Sequence, residues 1–266
     1  MLFKYLPKER YDVLENMEIR FTPMFQLNDP YESMHLYSVE ATQSVIQRLK
    51  DDMKVSHLPF EKPEDLFCKH EIENAHISAI LNVARMNKYG VLSLSETPYN
   101  KLMWSHYCSN EGYVLGFDEN HDFFNKEGLG PLSVDYKSKP QELSLDAARS
   151  IDKHKFKPED WSYEREVRFF RELPATVGTI LSRQNPDALL QSLFELPASC
   201  VKRIYVGLNT GKTLGERLYY SIINHKLDVD IYKLTLSYGS YGFDEEQISK
   251  EDLMQLDSIK HDNPVS

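Results

Sequence analysis

Two acids and an arginine alternate along one short segment of the chain. Glu164, Glu166 and Arg168 are spaced two residues apart, and residues at this spacing share one face of a β-strand. Val167 and Phe169 would then point the opposite way, into a core. Ionised groups on a buried strand are costly unless they pair with each other or meet a ligand. The segment is therefore either a Glu/Arg ladder on a solvated sheet face or the charged part of a site.

A second polar pair lies on a strand predicted over 91–95. The alternation of this segment places Ser93 and Ser95 on one face and two leucines on the other. Aligned hydroxyls are unusual where apolar side chains would pack better, and hydroxyls can bond an amide or a ribose. Ser93 and Ser95 are therefore candidate ligand contacts.

Asn28 and Asp29 lie in a segment bounded by Pro23 and Pro30. Asn and Asp side chains bond their own backbone and proline fixes φ, so this segment is predicted to form a structured turn. The two polar side chains either only form the turn or also hold a polar ligand.

A helix predicted over 100–107 carries two aromatic candidates. Trp104 and Tyr107 are interpreted as part of the core or as the wall of a pocket. In a pocket wall, aromatic side chains can stack on a planar ligand group.

A basic run from Lys153 to Lys157 directly precedes the acidic pair. Such a run is typical of a solvated helix end. The alternative is that it binds a pyrophosphate or a single nucleic-acid strand.

The composition restricts the class of protein. The chain has 266 residues, of which 41% are hydrophobic, and a mean hydropathy of -0.51, as expected for a soluble globular protein. Its 31 basic and 41 acidic residues give a net charge of -10, so generic duplex-DNA binding is not expected. No apolar run reaches the roughly 18 residues of a membrane span, and the first residues lack the apolar region of a signal peptide. We therefore expect a cytoplasmic protein with no membrane partner.

No metal is expected from the spacing of cysteine and histidine. Cys68, Cys108 and Cys200 lie far apart in the chain. His70 and His76 are six residues apart, whereas two ligands on one helical face need a spacing of four.

The elements predicted around these residues indicate an α+β fold. About seven short strands alternate irregularly with helices, which favours one domain with a mixed or split β-sheet and flanking helices over a doubly wound sheet. This domain is predicted over 1–245, with a helical insertion at about 38–89. Helices are also predicted over 143–155 and 186–195. Residues 246–266 are predicted to form a polar tail that is mobile or an ancillary helix.

Several motifs, taken in order, resemble the bacterial domain-of-unknown-function family 2971. The similarity extends over most of residues 1–240, and the family name implies no activity. The matching segments are Phe-Lys-Tyr at 3–5, Leu-Asn-Asp-Pro-Tyr-Glu at 27–32, Val-Leu-Ser-Leu-Ser-Glu at 91–96, Leu-Met-Trp-Ser-His-Tyr at 102–107, the strand at 112–117 and the segment 161–168.

The chain also resembles the ADP-ribosyltransferase plan. The resemblance lies in the order of a short first strand, a strand bearing Ser-x-Ser, an aromatic-rich helix and a late Glu-x-Glu. In that family a first-strand His or Arg holds the nicotinamide ribose or phosphate, a serine strand lines the nicotinamide pocket, and the last Glu bonds a ribose hydroxyl. The resemblance assigns Ser93 and Ser95 to the serine strand and Glu164 and Glu166 to the acidic pair. The first strand departs from the pattern, since it offers Lys and Tyr at positions 4 and 5 rather than His or Arg.

This second resemblance implies that NAD is consumed as a substrate. Cleavage of the nicotinamide bond builds positive charge on the ribose, and the carboxylate of Glu166 would stabilise that charge. Glu164 would position or deprotonate the acceptor. A one-residue shift in strand register would exchange the two faces, so which acid faces the pocket is left open.

Trp104 or Tyr107 would stack on nicotinamide, and Arg168 or Lys4 would pair with the pyrophosphate. With the remaining candidates, nine residues are expected to bind NAD. They are Lys4, Tyr5, Asn28, Asp29, Ser93, Ser95, Trp104, Tyr107 and Arg168.

The leading hypothesis is an NAD-consuming ADP-ribosyltransferase-like enzyme, a bacterial toxin or phage-defence effector that modifies a nucleic acid or protein. An alternative is a non-catalytic nucleotide or ligand sensor of the same fold, favoured by the missing first-strand His or Arg. A third is a metal-dependent nuclease using Asp29, Glu32, Glu164 and Glu166, which would require magnesium or manganese.

Overall fold

The computed structural model of the protein describes residues 1–29, 31, 36–37, 89–124, 129–143, 151–174 and 192–256. The helices predicted within the insertion at 38–89 lie outside these residues, as do most of those predicted over 143–155 and 186–195. In chain order the strands are β1 Leu2–Leu6, β2 Glu18–Arg20, β3 Thr22–Pro23, β4 Leu36–Tyr37, β5 Tyr89–Ser95, β6 Tyr113–Phe117, β7 Leu132–Ser133, β8 Asp135–Lys137, β9 Glu142–Leu143, β10 Phe156–Pro158, β11 Glu166–Glu172, β12 Leu193–Glu195, β13 Val201–Val206, β14 Asp230–Leu236 and β15 Phe243–Ile248.

One mixed sheet of nine strands dominates the described part of the chain. Its order is β15-β14-β13-β6-β1-β5-β11-β7, and β3 also pairs with β5. Neighbouring strands are antiparallel, except that β13 and β14 are parallel. The remaining strands form small two-stranded pairs, β10 with β8, β12 with β2, and β4 with β9.

Three α-helices lie within the described ranges: α1 Asp12–Asn16, α2 Lys101–Cys108 and α3 Lys212–Asn224. Asn100 begins α2, because its side-chain oxygen accepts from the backbone N–H groups of Leu102 and Met103. Helix α3 makes the crossover that the parallel strands β13 and β14 require. It buries Leu214, Leu218 and Ile222, which recur every four residues on one face.

Strand β5 is the point at which the sheet divides. On one side β11 pairs with it along its length, from Glu166 opposite Ser95 to Glu172 opposite Tyr89. On the other side β1 pairs with β5 at Ser95, whereas β3 pairs with it at Val91 and Gly90. Between these two contacts the edge of β5 at Ser93 faces no paired strand among the described residues, and a cleft forms there.

The two faces of β5 and β11 differ as the sequence predicts. Leu92, Leu94, Val167 and Phe169 are buried in the main hydrophobic core. The serines of β5 and the charged residues of β11 lie on the opposite face, because side chains alternate along a strand. The expected mixture of helices with a mixed sheet is confirmed.

Three expectations about the elements are wrong. The main sheet has nine strands rather than about seven. Leu193–Glu195 is a strand that pairs with β2, although a helix was expected there. The domain does not end at residue 245, because β15 crosses that boundary and the side chains of Leu253 and Leu256 are buried. Residues 257–266 of the expected tail lie outside the described residues.

Within the part of the chain that the structure describes, none of the helices is long and apolar enough to cross a membrane.

Candidate functional site

A cavity of about 130 Å³ occupies the cleft beside β5, and we call it the site cavity. Strands β1 and β5, helix α2 and the start of β11 supply most of its wall. Residues predicted from the sequence make up much of this wall: Lys4, Tyr5, Asn28, Ser93, Ser95, Tyr107, Glu164 and Glu166. Phe3, Thr22, Leu27, Val91, Leu94, Met103 and Lys157 complete it.

Glu166 and Arg168 form a buried, two-pronged ion pair. Both side chains project from the same face of β11, since they are two residues apart. Arg168 Nε lies 2.9 Å from Glu166 Oε1 and Arg168 Nη2 lies 3.0 Å from Oε2. Arg168 also donates to the backbone carbonyl of His154 at 2.6 Å. Arg168 is 1% exposed and does not line the cavity, so it positions Glu166 from behind.

Lys157 bridges Glu164 and Glu166. It was not among the individual site residues predicted from the sequence. Its Nζ lies 2.5 Å from Glu164 Oε2 and 3.1 Å from Glu166 Oε2. The expectation of a solvated helix end is wrong, because Lys153, His154 and Lys157 are all buried. Lys157 lies on β10, which runs parallel to β8 and delivers the ammonium group to the acids. The only signal in the sequence was a lysine just upstream of two acids.

Glu164 reaches the cavity from a 3₁₀ turn rather than from a strand. The turn Glu159–Glu164 ends at Arg165, whose φ of 47° is left-handed, and β11 begins at Glu166. The expected alignment of all three charged residues on one strand is therefore wrong for Glu164. The left-handed residue nevertheless brings Glu164 and Glu166 to the same cavity, so both acids face it.

Tyr107 and Ser95 hold Glu164 in place. The Tyr107 hydroxyl donates to Glu164 Oε1 at 2.5 Å, and Asn28 donates to that hydroxyl at 3.3 Å. Ser95 Oγ donates to the backbone carbonyl of Glu164 at 2.7 Å. The carboxylate is thus held by Tyr107 of α2, and the backbone of Glu164 is held by Ser95 of β5. The hydroxyl proton of Ser95 is used in this hydrogen bond and is not available to a ligand.

The two acids differ in the capacity that remains for a ligand. A carboxylate offers about four acceptor positions. Glu166 accepts from two N–H groups of Arg168 and from Lys157. Among the described residues Glu164 accepts from Lys157 and Tyr107. Glu164 is therefore the acid with more acceptor positions left for a bound molecule.

The charges change the acidity of the groups that carry them. Burial alone would raise the pKa of Glu166, but Arg168 and Lys157 outweigh it and hold this pKa far below its usual range. Burial lowers the pKa of Lys4 to about 8, although both acids partly oppose this. Burial and the bond to Glu164 raise the pKa of Tyr107, so that its hydroxyl remains a donor at neutral pH.

Tyr5 and Trp104 support the site without offering a group to a ligand. The Tyr5 hydroxyl donates to the carbonyl of Thr97 at 2.9 Å and accepts from the N–H of Asn100 at 3.1 Å. Trp104 is 1% exposed, and its indole donates to the carbonyl of Pro98 at 2.6 Å. Of the two readings offered by the sequence for Trp104, core and pocket wall, core is correct.

Asp29 lies against a second, larger cavity of about 450 Å³. We call it the second cavity; its wall consists of Asp29, Tyr31, Lys137, Ser138, Lys139, Pro140, Gln141, Phe156, Lys157, Pro158, Asp160 and Trp161. Lys157 belongs to the walls of both cavities. Asn28 and Asp29, which are adjacent in the chain, face one cavity each.

The acids of the hypothetical nuclease are not gathered at one place. Glu164 and Glu166 lie in the site cavity, each bonded to Lys157, whereas Asp29 lines the second cavity. Glu32 lies outside the described residues. Among the residues that are described, no three His, Cys, Asp or Glu side chains form a group able to hold a metal ion.

Comparison with known proteins finds similarity to one family over part of the chain. The family model described as "Protein of unknown function (DUF2971)" matches residues 103–169. No curated protein and no solved structure matches the chain. The matched segment contains the four charged residues of the site, Lys157, Glu164, Glu166 and Arg168. It also contains Tyr107, which donates to Glu164. The resemblance to domain-of-unknown-function family 2971 is thereby confirmed over this segment.

Proposed function

We propose that the protein is an NAD-consuming, ADP-ribosyltransferase-like enzyme that transfers ADP-ribose to a nucleic acid or a protein. The observation that supports this most is the convergence of three distant elements on one small cavity. Lys4 on the first strand, the serine strand β5 and Glu164 all line it. This is the order of elements that the ADP-ribosyltransferase plan requires, in a sheet that divides beside the serine strand.

Glu164 is the acid best suited to the chemical step. When the bond between the ribose carbon and the nicotinamide nitrogen breaks, the electron pair stays on nicotinamide and positive charge develops on the ribose. A fixed carboxylate with free acceptor positions stabilises that charge where it forms. Glu164 is 4% exposed, is held by Lys157 and Tyr107, and retains such positions. A nucleophilic atom of the acceptor then bonds to the ribose carbon and loses a proton.

Glu166 takes a positioning role in this proposal. Arg168 and Lys157 fill three of its roughly four acceptor positions. It keeps Lys157 between the acids and so fixes the orientation of Glu164. Glu164 thus takes the role of stabilising the ribose charge, which the sequence resemblance assigned to Glu166.

The remaining walls suit the nicotinamide ribose. Phe3, Leu27 and Met103 contribute apolar surface, and the ring of Tyr107 offers a face for stacking. Lys4 stands on the first strand where the resembled family has His or Arg. Its ammonium donates to the Ser93 carbonyl at 3.0 Å. Within the described residues this leaves two of its N–H groups for a phosphate or a ribose oxygen.

The decisive experiment measures nicotinamide release from NAD by the purified protein, with and without cell lysate as a source of acceptor. We expect release by the wild type and loss of at least 100-fold in Glu164→Gln, in line with the loss of one electrostatic contact to a transition state. Glu159→Gln is the matched control, because Glu159 is an exposed acid of the same 3₁₀ turn. Absence of release under every condition, or full release by Glu164→Gln, contradicts the proposal.

A nucleotide sensor of the same fold is the second candidate. Two observations favour it: Lys4 replaces the first-strand His or Arg, and Arg168 and Lys157 already occupy most acceptor positions of Glu166. A sensor would be stabilised by NAD against heat without releasing nicotinamide, because a ligand that binds only the folded state raises its stability.

Toxicity on expression in bacteria, abolished by Glu164→Gln, would support an effector role in defence instead.

A further inference from the structure

The site cavity is too small for the substrate that the proposed function requires. Cavities that bind ligands of drug size have volumes of about 300 to 1,000 Å³, whereas the site cavity has about 130 Å³. It offers room for the nicotinamide end of a dinucleotide only. The adenosine end needs a separate space that communicates with the first.

The second cavity shares part of its lining with the site cavity. Lys157 contributes to both walls, and Asn28 and Asp29 continue the wall from one cavity into the next. Its volume of about 450 Å³ lies within the range of ligand sites. A molecule with one end beside Glu164 and the other end in the second cavity would pass Lys157, the residue that the two walls share.

Asp29 gives the second cavity an unused acceptor. The side chain is only 4% exposed. Its Oδ1 accepts from the backbone N–H of Tyr31 at 2.9 Å, as in an Asx turn. Its Oδ2 is buried and has no hydrogen-bond partner among the described residues. A buried carboxylate oxygen without a donor is unfavourable, and a ligand hydroxyl or amine would satisfy it.

Aromatic side chains form another part of the same wall. Trp161 and Phe156 both line the cavity, and the ammonium of Lys157 lies 5.0 Å from the centre of the Trp161 ring. Aromatic faces bind planar bases by stacking. A planar base carried by a sugar with vicinal hydroxyls matches both Trp161 and Asp29, since carboxylates bond ribose hydroxyls well.

We propose that the second cavity binds the adenosine half of NAD, with Asp29 accepting from a ribose hydroxyl and Trp161 stacking on adenine. Lys157 then marks the boundary between the two halves, next to the pyrophosphate. This inference rests on the proposed function, because it names the binding site for the remainder of the same substrate.

The test uses AMP as the probe, because AMP has the adenosine half and no nicotinamide to release. Binding of AMP and of nicotinamide to the full chain is measured by isothermal titration calorimetry. We expect Asp29→Asn and Trp161→Leu each to weaken AMP binding at least 10-fold and to leave nicotinamide binding unchanged. Glu159→Gln, an exposed change next to the same wall, is expected to bind AMP as the wild type does. A thermal melt checks folding, and Trp161→Leu carries the test if Asp29→Asn does not fold.

The outcomes separate this inference from the proposed function. Release of nicotinamide from NAD, with AMP neither binding nor inhibiting, overturns the inference and leaves the function standing. AMP binding that depends on Asp29 and is displaced by NAD, without nicotinamide release, supports the inference and contradicts the transferase. AMP binding that NAD does not displace identifies a site for a free adenine nucleotide and also overturns the inference.

Discussion

The ammonium of Lys4 donates to the backbone carbonyl of Ser93 at 3.0 Å, on the edge of β5 where no described strand pairs between β1 and β3. A carbonyl at an open sheet edge needs a donor once it is removed from water. Lys4 supplies that donor and thereby allows β1 and β3 to separate around the site cavity. The side chain of Lys4 thus satisfies a backbone carbonyl at the edge of the sheet and also places a cation in the wall of the site cavity.

The first prediction concerns the pH dependence of stability caused by Lys4. Its pKa falls from 10.5 in the unfolded chain to about 8 in the folded one. Between these values the unfolded state binds more protons, so the free energy of unfolding must rise with pH. Relative to Lys4→Met, the wild type should gain roughly 3 kcal/mol from pH 7 to pH 10.5, at about 1.4 kcal/mol per pKa unit.

Urea denaturation of both proteins at several pH values measures this difference. Groups common to the two proteins cancel in the comparison. A stability difference that stays constant from pH 7 to pH 10.5 would show that the lysine is not titrating in this way.

The second prediction concerns Lys157. Lys157→Met leaves Glu164 without its cation and places two carboxylates near each other in a buried site. We expect a loss of about 3 to 5 kcal/mol in the free energy of unfolding at pH 7, as for a broken buried ion pair. Lys155→Met, in the same basic run, is the control and should change stability by less than about 1 kcal/mol.

Some of the site was predictable because strand alternation has a fixed period. The alternation on β5 and β11 assigned Ser93, Glu166 and Arg168 to one face without knowledge of the rest of the fold. The contribution of Glu164 was not predictable in the same way, because the left-handed residue before β11 is an arginine, which carries no turn signal. Lys157 was missed because a basic run is usually solvated. It is buried here because it lies on β10, which pairs with β8 beside the two acids.

The third prediction concerns the ion pair of Glu166 with Arg168. Arg168→Lys keeps the charge but loses the planar fork that bonds both oxygens of Glu166. We expect this variant to lose about 2 to 4 kcal/mol of stability, and Glu166→Gln to lose about 3 to 5 kcal/mol because Arg168 remains buried. Glu246→Gln, on the exposed edge strand, is the control for removal of one negative charge. Equal melting temperatures for Arg168→Lys and the wild type would refute the importance of the two-pronged pair.

The fourth prediction tests whether the C-terminal segment belongs to the domain. Leu253 is fully buried, and its carbonyl approaches Gly215 so closely that a Cβ placed on that glycine would lie only 2.0 Å away. The 3₁₀ helix Glu251–Gln255 therefore packs directly on α3. We expect Leu253→Ala to lose about 2 to 5 kcal/mol, as for a large-to-small change in a core.

Leu236→Ala is the matched control, because Leu236 is 59% exposed and should lose little on truncation. Guanidinium denaturation of the two variants gives both values. If Leu253→Ala were as stable as Leu236→Ala, the domain would end near residue 245, as the polar composition of the segment had predicted. A large difference means that buried leucines spaced among acids, rather than average polarity, decide where the domain ends.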